Sequence, residues 1–148
     1  MRAVIQRAAE AFVSVADKVV GRIGPGLVVF LGVERDDTQS DADYIVDKVA
    51  GLRVFEDADG IPNRSVVDIS GEVLLVSQFT LCADARHGRR PSYIRAARPE
   101  LALPLYEYAA MRLGRSVPVA TGKFQAEMRV SLVNDGPHTI LLDSKKEF

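Results

Sequence analysis

Short apolar runs separated by turn residues dominate the order of side chains. Ala3 to Ala8 and Ala11 to Val15 alternate or run apolar, Val19 to Ile23 follows, and Gly24-Pro25-Gly26 reads as a turn. Leu27 to Val33 is continuously apolar, the pattern of a strand buried on both faces. The periodicity then changes. Ala42, Ile45, Val46, Val49 and Leu52 fall on one stripe at helical spacing, with Thr38 or Ser40 placed to cap it. Asp36, Asp37, Asp41 and Asp43 gather at its start, where the helix dipole favours negative charge; that accounts for the cluster without a metal. Asp57-Ala58-Asp59-Gly60 is a turn, and Glu72 to Ala83 reads as one long strand leading into an Arg-rich loop. A second helix is expected within Pro99 to Gly114, burying Leu105, Tyr108, Ala109 and Leu113. Pro104 belongs in a first turn, which puts the helix start near Ala102 or Leu103. Val117 to Ala120, Met128 to Val133 and Thr139 to Leu142 supply the remaining strands. Two helices among roughly eight strands, in no regular alternation, predict an α+β fold. The expectation is one domain over residues 1–148, built on a mainly antiparallel, barrel-like sheet.

Composition narrows the function. The 148 residues are 47% hydrophobic and 26% charged with a formal net charge of −1, so attraction to nucleic acid would have to come from a local patch. The single cysteine, Cys82, excludes an intrachain disulfide and fits a reducing compartment. It reads as a small buried apolar residue. Residues 1–7 carry charges where a signal peptide would be apolar, and no run near them is long enough to span a bilayer. A cytoplasmic protein away from membranes is expected.

Three segments carry candidate chemistry. Val73 to Leu81 brings Ser77, Gln78 and Thr80 together at the end of an apolar strand, where each polar group needs a partner or water. Asn134-Asp135-Gly136-Pro137 is turn chemistry, compatible with a plain hairpin, and the sequence leaves the isomer of the Gly-Pro bond open. Arg86 to Arg98 holds five arginines, Tyr93 and no acid, a composition suited to phosphate and base as well as to a solvated loop. Neither His87 nor His138 sits in a metal-binding pattern. Cys82 and His87 have no geometric reason to meet as a dyad. Gly21 to Gly26 has the wrong glycine order for a dinucleotide site. No metal or cofactor is implied.

Taken together, these segments resemble the bacterial D-aminoacyl-tRNA deacylase family from end to end. Ala3-Val4-Ile5-Gln6-Arg7 is similar to its first strand, and Ser77-Gln78-Phe79-Thr80 to its Ser-Gln-Phe-Thr signature. Arg90-Pro91-Ser92, Thr121-Gly122-Lys123-Phe124 with Met128, and Ser131 to Pro137 follow in order. His138 departs from the usual valine. The resemblance implies hydrolysis of the ester joining a D-amino acid, or glycine mischarged on tRNA-Ala, to the 3′-terminal adenosine of tRNA. It implies a pocket lined by Ser77, Gln78, Phe79 and Thr80, with main-chain N–H groups near Phe79 as oxyanion donors, since charge developing on the carbonyl oxygen is the largest lever available. Thr80 has no evident activating base, which favours a positioning role over attack. Gly136-Pro137 is implied to be cis, braced by Arg7, and to enter the site of a partner subunit in a homodimer. There it would exclude L side chains by collision. Adenosine is expected near Phe79 and Met128, and RNA near Arg89 and Arg90. A non-catalytic RNA or small-molecule binding domain, or a synthetase-related editing domain acting in trans, remain the other readings.

Overall fold

The computed structural model describes residues 1–136 and 138–148; the expected cis isomer of Gly136-Pro137 falls on Pro137, outside the described residues. β1 (Arg2–Val15) is the spine of a six-stranded sheet. One of its edges pairs antiparallel with β3 (Gly26–Gly32) through Arg2 to Ala8 and with β2 (Lys18–Ile23) through Ala11 to Val15. Its other edge pairs with β8 (Arg129–Asp143) from Arg2↔Asp143 to Ser14↔Arg129. β3 continues to β6 (Glu72–Ser77), and β6 to β7 (Val119–Thr121), and both of these pairs are parallel. The sheet therefore curls into a nearly closed, barrel-like form of mixed sense. Phe55–Glu56 and Pro62–Arg64 make a small separate hairpin, β4 and β5.

The parallel pairs explain the continuous apolar runs. Leu27, Val29 and Leu31 of β3 and Val73 and Leu75 of β6 join the helices in one core. Their alternates Val28, Leu74 and Val76 join Ala8, Ala11, Val13 and Ile23 in a second core on the opposite face. Covering both faces leaves no position for a polar residue.

The first core is closed by α1 (Gln39–Gly51) and α2 (Pro99–Leu113). Thr38 caps α1 in a capping box with Asp41. The acidic cluster has a different basis from the one expected. Only Asp41 serves the helix start. Asp37 is buried and accepts from the Met1 ammonium and the Glu34 N–H, Asp36 pairs with Lys145, and Asp43 holds Arg112 and Tyr108 of α2. α2 also departs from expectation. It starts with Pro99 at its first position and contains Pro104, whose ring stays on the exposed side. Ala102, Leu105, Tyr106, Ala109 and Leu113 form its buried face; Tyr108 is only half-buried, its hydroxyl donating to Asp43.

Two further expectations are corrected. The strand read as Glu72 to Ala83 stops at Ser77, and Phe79–Cys82 turns into a 3-10 helix. Gly32 makes this possible. A β-carbon there would lie 2.9 Å from the Gln78 carbonyl and 3.1 Å from the Cys82 sulfur, so only glycine lets the turn pack down on β3. The Asn134-Asp135-Gly136 segment is no hairpin turn. It lies inside β8, where Gln6 pairs with Thr139 and Ala8 with Asn134, so Arg7 alone stands opposite the described residues Asp135, Gly136 and His138 at a bulge.

Candidate active site

The turn after β6 opens one wall of a cavity of about 550 Å³. Ser77, Gln78 and Phe79 line this wall, and Met128, just before β8, and Val130 within it line the opposite one. Val33, Ala97 and Phe124 help to close the space between. Gly122 lets the second wall pack: a β-carbon there would lie 2.5 Å from the Met128 sulfur. Among the described residues, no lining side chain ionises. The site therefore offers shape, apolar contact, hydroxyl and amide groups, and backbone.

The 3-10 turn supplies the backbone. The Gln78 N–H donates to the Leu31 carbonyl, while Leu81 and Ala83 N–H groups close the turn onto Gln78 and Thr80. The N–H groups of Phe79 and Thr80 begin the turn and find no backbone acceptor among the described residues. Thr80 does not line the cavity. Its hydroxyl accepts from the Gln78 side-chain amide. The structure thus joins Ser77, Gln78, Phe79 and Met128 in one cavity and sets Thr80 just behind it.

Arg7 and Gly136 lie outside that cavity, at the β8 bulge. Arg7 is buried to 6% exposure, yet its guanidinium is satisfied: Nε donates to the Asp135 carbonyl at 2.8 Å and Nη1 to the Val54 carbonyl at 2.7 Å. The Asp135 carboxylate lies 3.3 Å from Nε. Asn134, Asp135 and Gly136 are themselves exposed.

The Arg-rich segment is less basic than its composition implies. Arg86 forks onto Asp84, holding that carboxyl well below the usual range. Arg95 forks onto Glu147, lowering it to about 2, and reaches buried Glu34 at 3.0 Å. Arg89 and Arg90 are exposed and enter no ion pair among the described residues. Reciprocal backbone bonds between Asp84 and Ser92, both 2.8 Å, pin the loop at its base. Beside it, the Tyr93 ring meets Phe79 edge to face at 5.3 Å.

Cys82 is buried, its thiol against the Val33 carbonyl, and burial pushes its pKa up to about 11. A thiol held neutral is no nucleophile. Glu34, Asp36 and Asp37 bring three carboxylate oxygens within 4.8 Å, the one such group among the described residues. Their cations are the protein's own: Lys145 reaches Asp36 and Asp37, and the Met1 ammonium reaches Asp37.

The sequence did not point to Val33, Ala97, Pro99, Ala102 or Gln125, which complete the cavity lining. They are mostly small or apolar residues from distant segments. Only the Thr121-Gly122-Lys123-Phe124 motif beside Gln125 signalled that this stretch mattered.

Comparison with known proteins gives this geometry a context. A family profile described as D-Tyr-tRNA(Tyr) deacylase matches residues 4–143. A D-aminoacyl-tRNA deacylase of Desulfitobacterium hafniense is 56% identical over the full length of both chains. Its counterpart from Symbiobacterium thermophilum is 58% identical over 100% of this chain and 99% of its own. Among solved structures, one described as c-Myc DNA Unwinding Element Binding Protein is 39% identical with a TM-score of 0.92, covering 97% of this chain and 98% of that one. Another, of a probable eukaryotic D-amino acid tRNA deacylase, shares the fold at a TM-score of 0.82 with 17% identity, over 95% and 98% of the two chains. The class these likenesses define is that of hydrolases acting on aminoacyl-tRNA. The chain belongs to the D-Tyr-tRNA(Tyr) deacylase family, and its activity is that of a D-aminoacyl-tRNA deacylase.

Proposed function

We propose that the cavity between Ser77 and Met128 takes the 3′-terminal adenosine and its D-aminoacyl ester, with the adenine against Phe79 and Met128. The observation that carries this reading is a cavity of nucleoside size with no ionisable lining residue beside two uncommitted main-chain N–H groups. Ester hydrolysis there relies on preorganised donors for the oxyanion, supplied by the turn at Phe79 and Thr80. The attacking water is activated by the substrate's own ribose hydroxyl, so no protein acid or base is required. Ser77, Gln78 and Thr80 hold the turn in shape.

Chirality is read by a second copy of the chain. Its bulge, carrying Gly136-Pro137 in the cis form that the family resemblance implies, enters the cavity mouth and is held in shape by its own Arg7. Backbone atoms occupy the space an L side chain needs, and rigid backbone rejects it by collision. Glycine has no side chain and passes, which adds glycyl-tRNA mischarged on tRNA-Ala to the substrates. The enzyme is then a homodimer with two symmetric sites, working in the cytoplasm where tRNA is charged. Arg89 and Arg90 supply positive charge for the RNA backbone.

Deacylation of matched D- and L-tyrosyl-tRNA tests this. The D ester is expected to be cleaved and the L ester left intact, at a rate indifferent to chelator. Equal rates on both, or activity lost in chelator and restored by a divalent metal, would contradict it.

A further inference from the structure

We propose that Tyr93, together with the outward edge of Phe79, is a stacking platform for the nucleotide preceding the terminal adenosine of the RNA substrate. The proposal rests on the deacylase reading and extends it beyond the cavity.

Three observations meet at this point. Phe79 lines the cavity, yet 56% of it is exposed, so its ring spans inside and outside. Tyr93 continues that aromatic surface outward, with its ring centre 5.3 Å from that of Phe79 at an interplanar angle of 64° and 42% of the residue exposed. The backbone beneath it is fixed at both ends. Ser92 is bonded to Asp84, Ala96 N–H donates to the Tyr93 carbonyl at 3.0 Å, and Ala97 N–H to Val33 at 2.9 Å. An exposed aromatic residue on immobile backbone loses little freedom on binding. Its free face suits a base, because every base presents a π-face.

Charge selects RNA as the occupant. Arg86 and Arg95 are spent on Asp84 and Glu147, but Arg89 and Arg90, on the same loop, are exposed and unpaired among the described residues. An aromatic step on the same loop as two uncommitted guanidinium groups matches a single strand leaving the cavity, its base on the ring and its phosphates toward the arginines. A purely apolar partner would leave these charges unanswered.

The test compares two substrates, D-tyrosyl-tRNA and D-tyrosyl-adenosine, which shares only the part that fills the cavity. Tyr93→Ala is expected to lower the ratio of kcat/KM on the first to kcat/KM on the second by roughly 5- to 150-fold, the range of one lost base–aromatic stack. The loss is expected in KM, and Tyr93→Phe should restore the ratio because stacking needs the ring alone. Binding of an uncharged oligonucleotide ending in CCA should weaken in parallel, independently of catalysis. An unchanged ratio, a Tyr93→Phe variant as impaired as Tyr93→Ala, or a Tyr93→Ala variant with altered sedimentation would overturn the platform. A wild-type protein that binds the oligonucleotide through Tyr93 but cleaves neither ester would instead count against the deacylase reading.

Discussion

Thr80 illustrates how little the proposed chemistry asks of any one side chain. A hydroxyl attacks an ester only when a base removes its proton, and here its recorded partner is the Gln78 amide, which donates to the oxygen and draws electron density from it. The same bond ties the turn together just where Phe79 and Thr80 present their N–H groups. On the proposed mechanism, Thr80→Ala should therefore loosen the oxyanion donors without removing them. A fall of about tenfold in kcat is expected, well short of the thousandfold or greater loss that follows removal of a true nucleophile. Single-turnover deacylation of D-tyrosyl-tRNA measures it. An aminoacyl group trapped covalently on Thr80 would refute the positioning role.

At the scale of elements, the bulge in β8 depends on a charge placed under it. Arg7 is the β1 residue that faces the bulge between Asn134 and Thr139, and its fork spans the Asp135 and Val54 carbonyls. Hydrogen bonds to a charged donor contribute more than neutral ones, and removal would leave the buried Val54 carbonyl unanswered. Arg7→Ala is expected to cost about 2–3 kcal/mol in denaturant unfolding. It should also raise the rate on L-tyrosyl-tRNA relative to the D ester, because the bulge loses its brace. Arg7→Lys should rescue neither fully, since one ammonium nitrogen lacks the two separated donors, Nε and Nη1, with which the guanidinium reaches the Asp135 and Val54 carbonyls. Unchanged discrimination in Arg7→Ala would separate the bulge from the chiral filter. These elements also show what could be read from residue order. Leu27 to Val33 announced a strand covered on both faces, because such a strand tolerates no polar position; Val73 to Val76 announced a strand, and its burial on both faces emerged only with the fold. The end of β6 was hidden: Phe79, Leu81 and Cys82 have strand propensity, and only the approach allowed by Gly32 turns them. Asn134-Asp135-Gly136 carries turn chemistry, but the hairpin turn it suggested is absent, because β1 continues alongside and the segment bulges within a strand. Ala97, Pro99 and Gln125 gave no signal as cavity residues, because tertiary assembly alone brings them there.

At the scale of the molecule, Arg7 and Gly136 at the bulge are not among the residues lining the cavity, and the proposed site, which uses both, would be completed by a second copy. The strand carrying the bulge has Val133 and Leu141 exposed at 53% and 57%, apolar surface that association would cover. Sedimentation should accordingly give a species of about twice the 16.2 kDa chain mass. A monomer with full D-over-L discrimination would show that the filter lies within one chain. The long pairing of β1 with β8 has a further consequence, for biosynthesis. β1 leaves the ribosome early, but the strand that completes its second edge is translated only after Met128. At about 5–20 residues per second the delay is on the order of ten seconds. Through that interval the nascent barrel exposes an unpaired edge long enough to recruit a strand from a neighbouring polysome. Arg2, Gln6, Arg7 and Glu10 interrupt the apolar run of β1, so they act as gatekeepers against aggregation before they serve the finished fold.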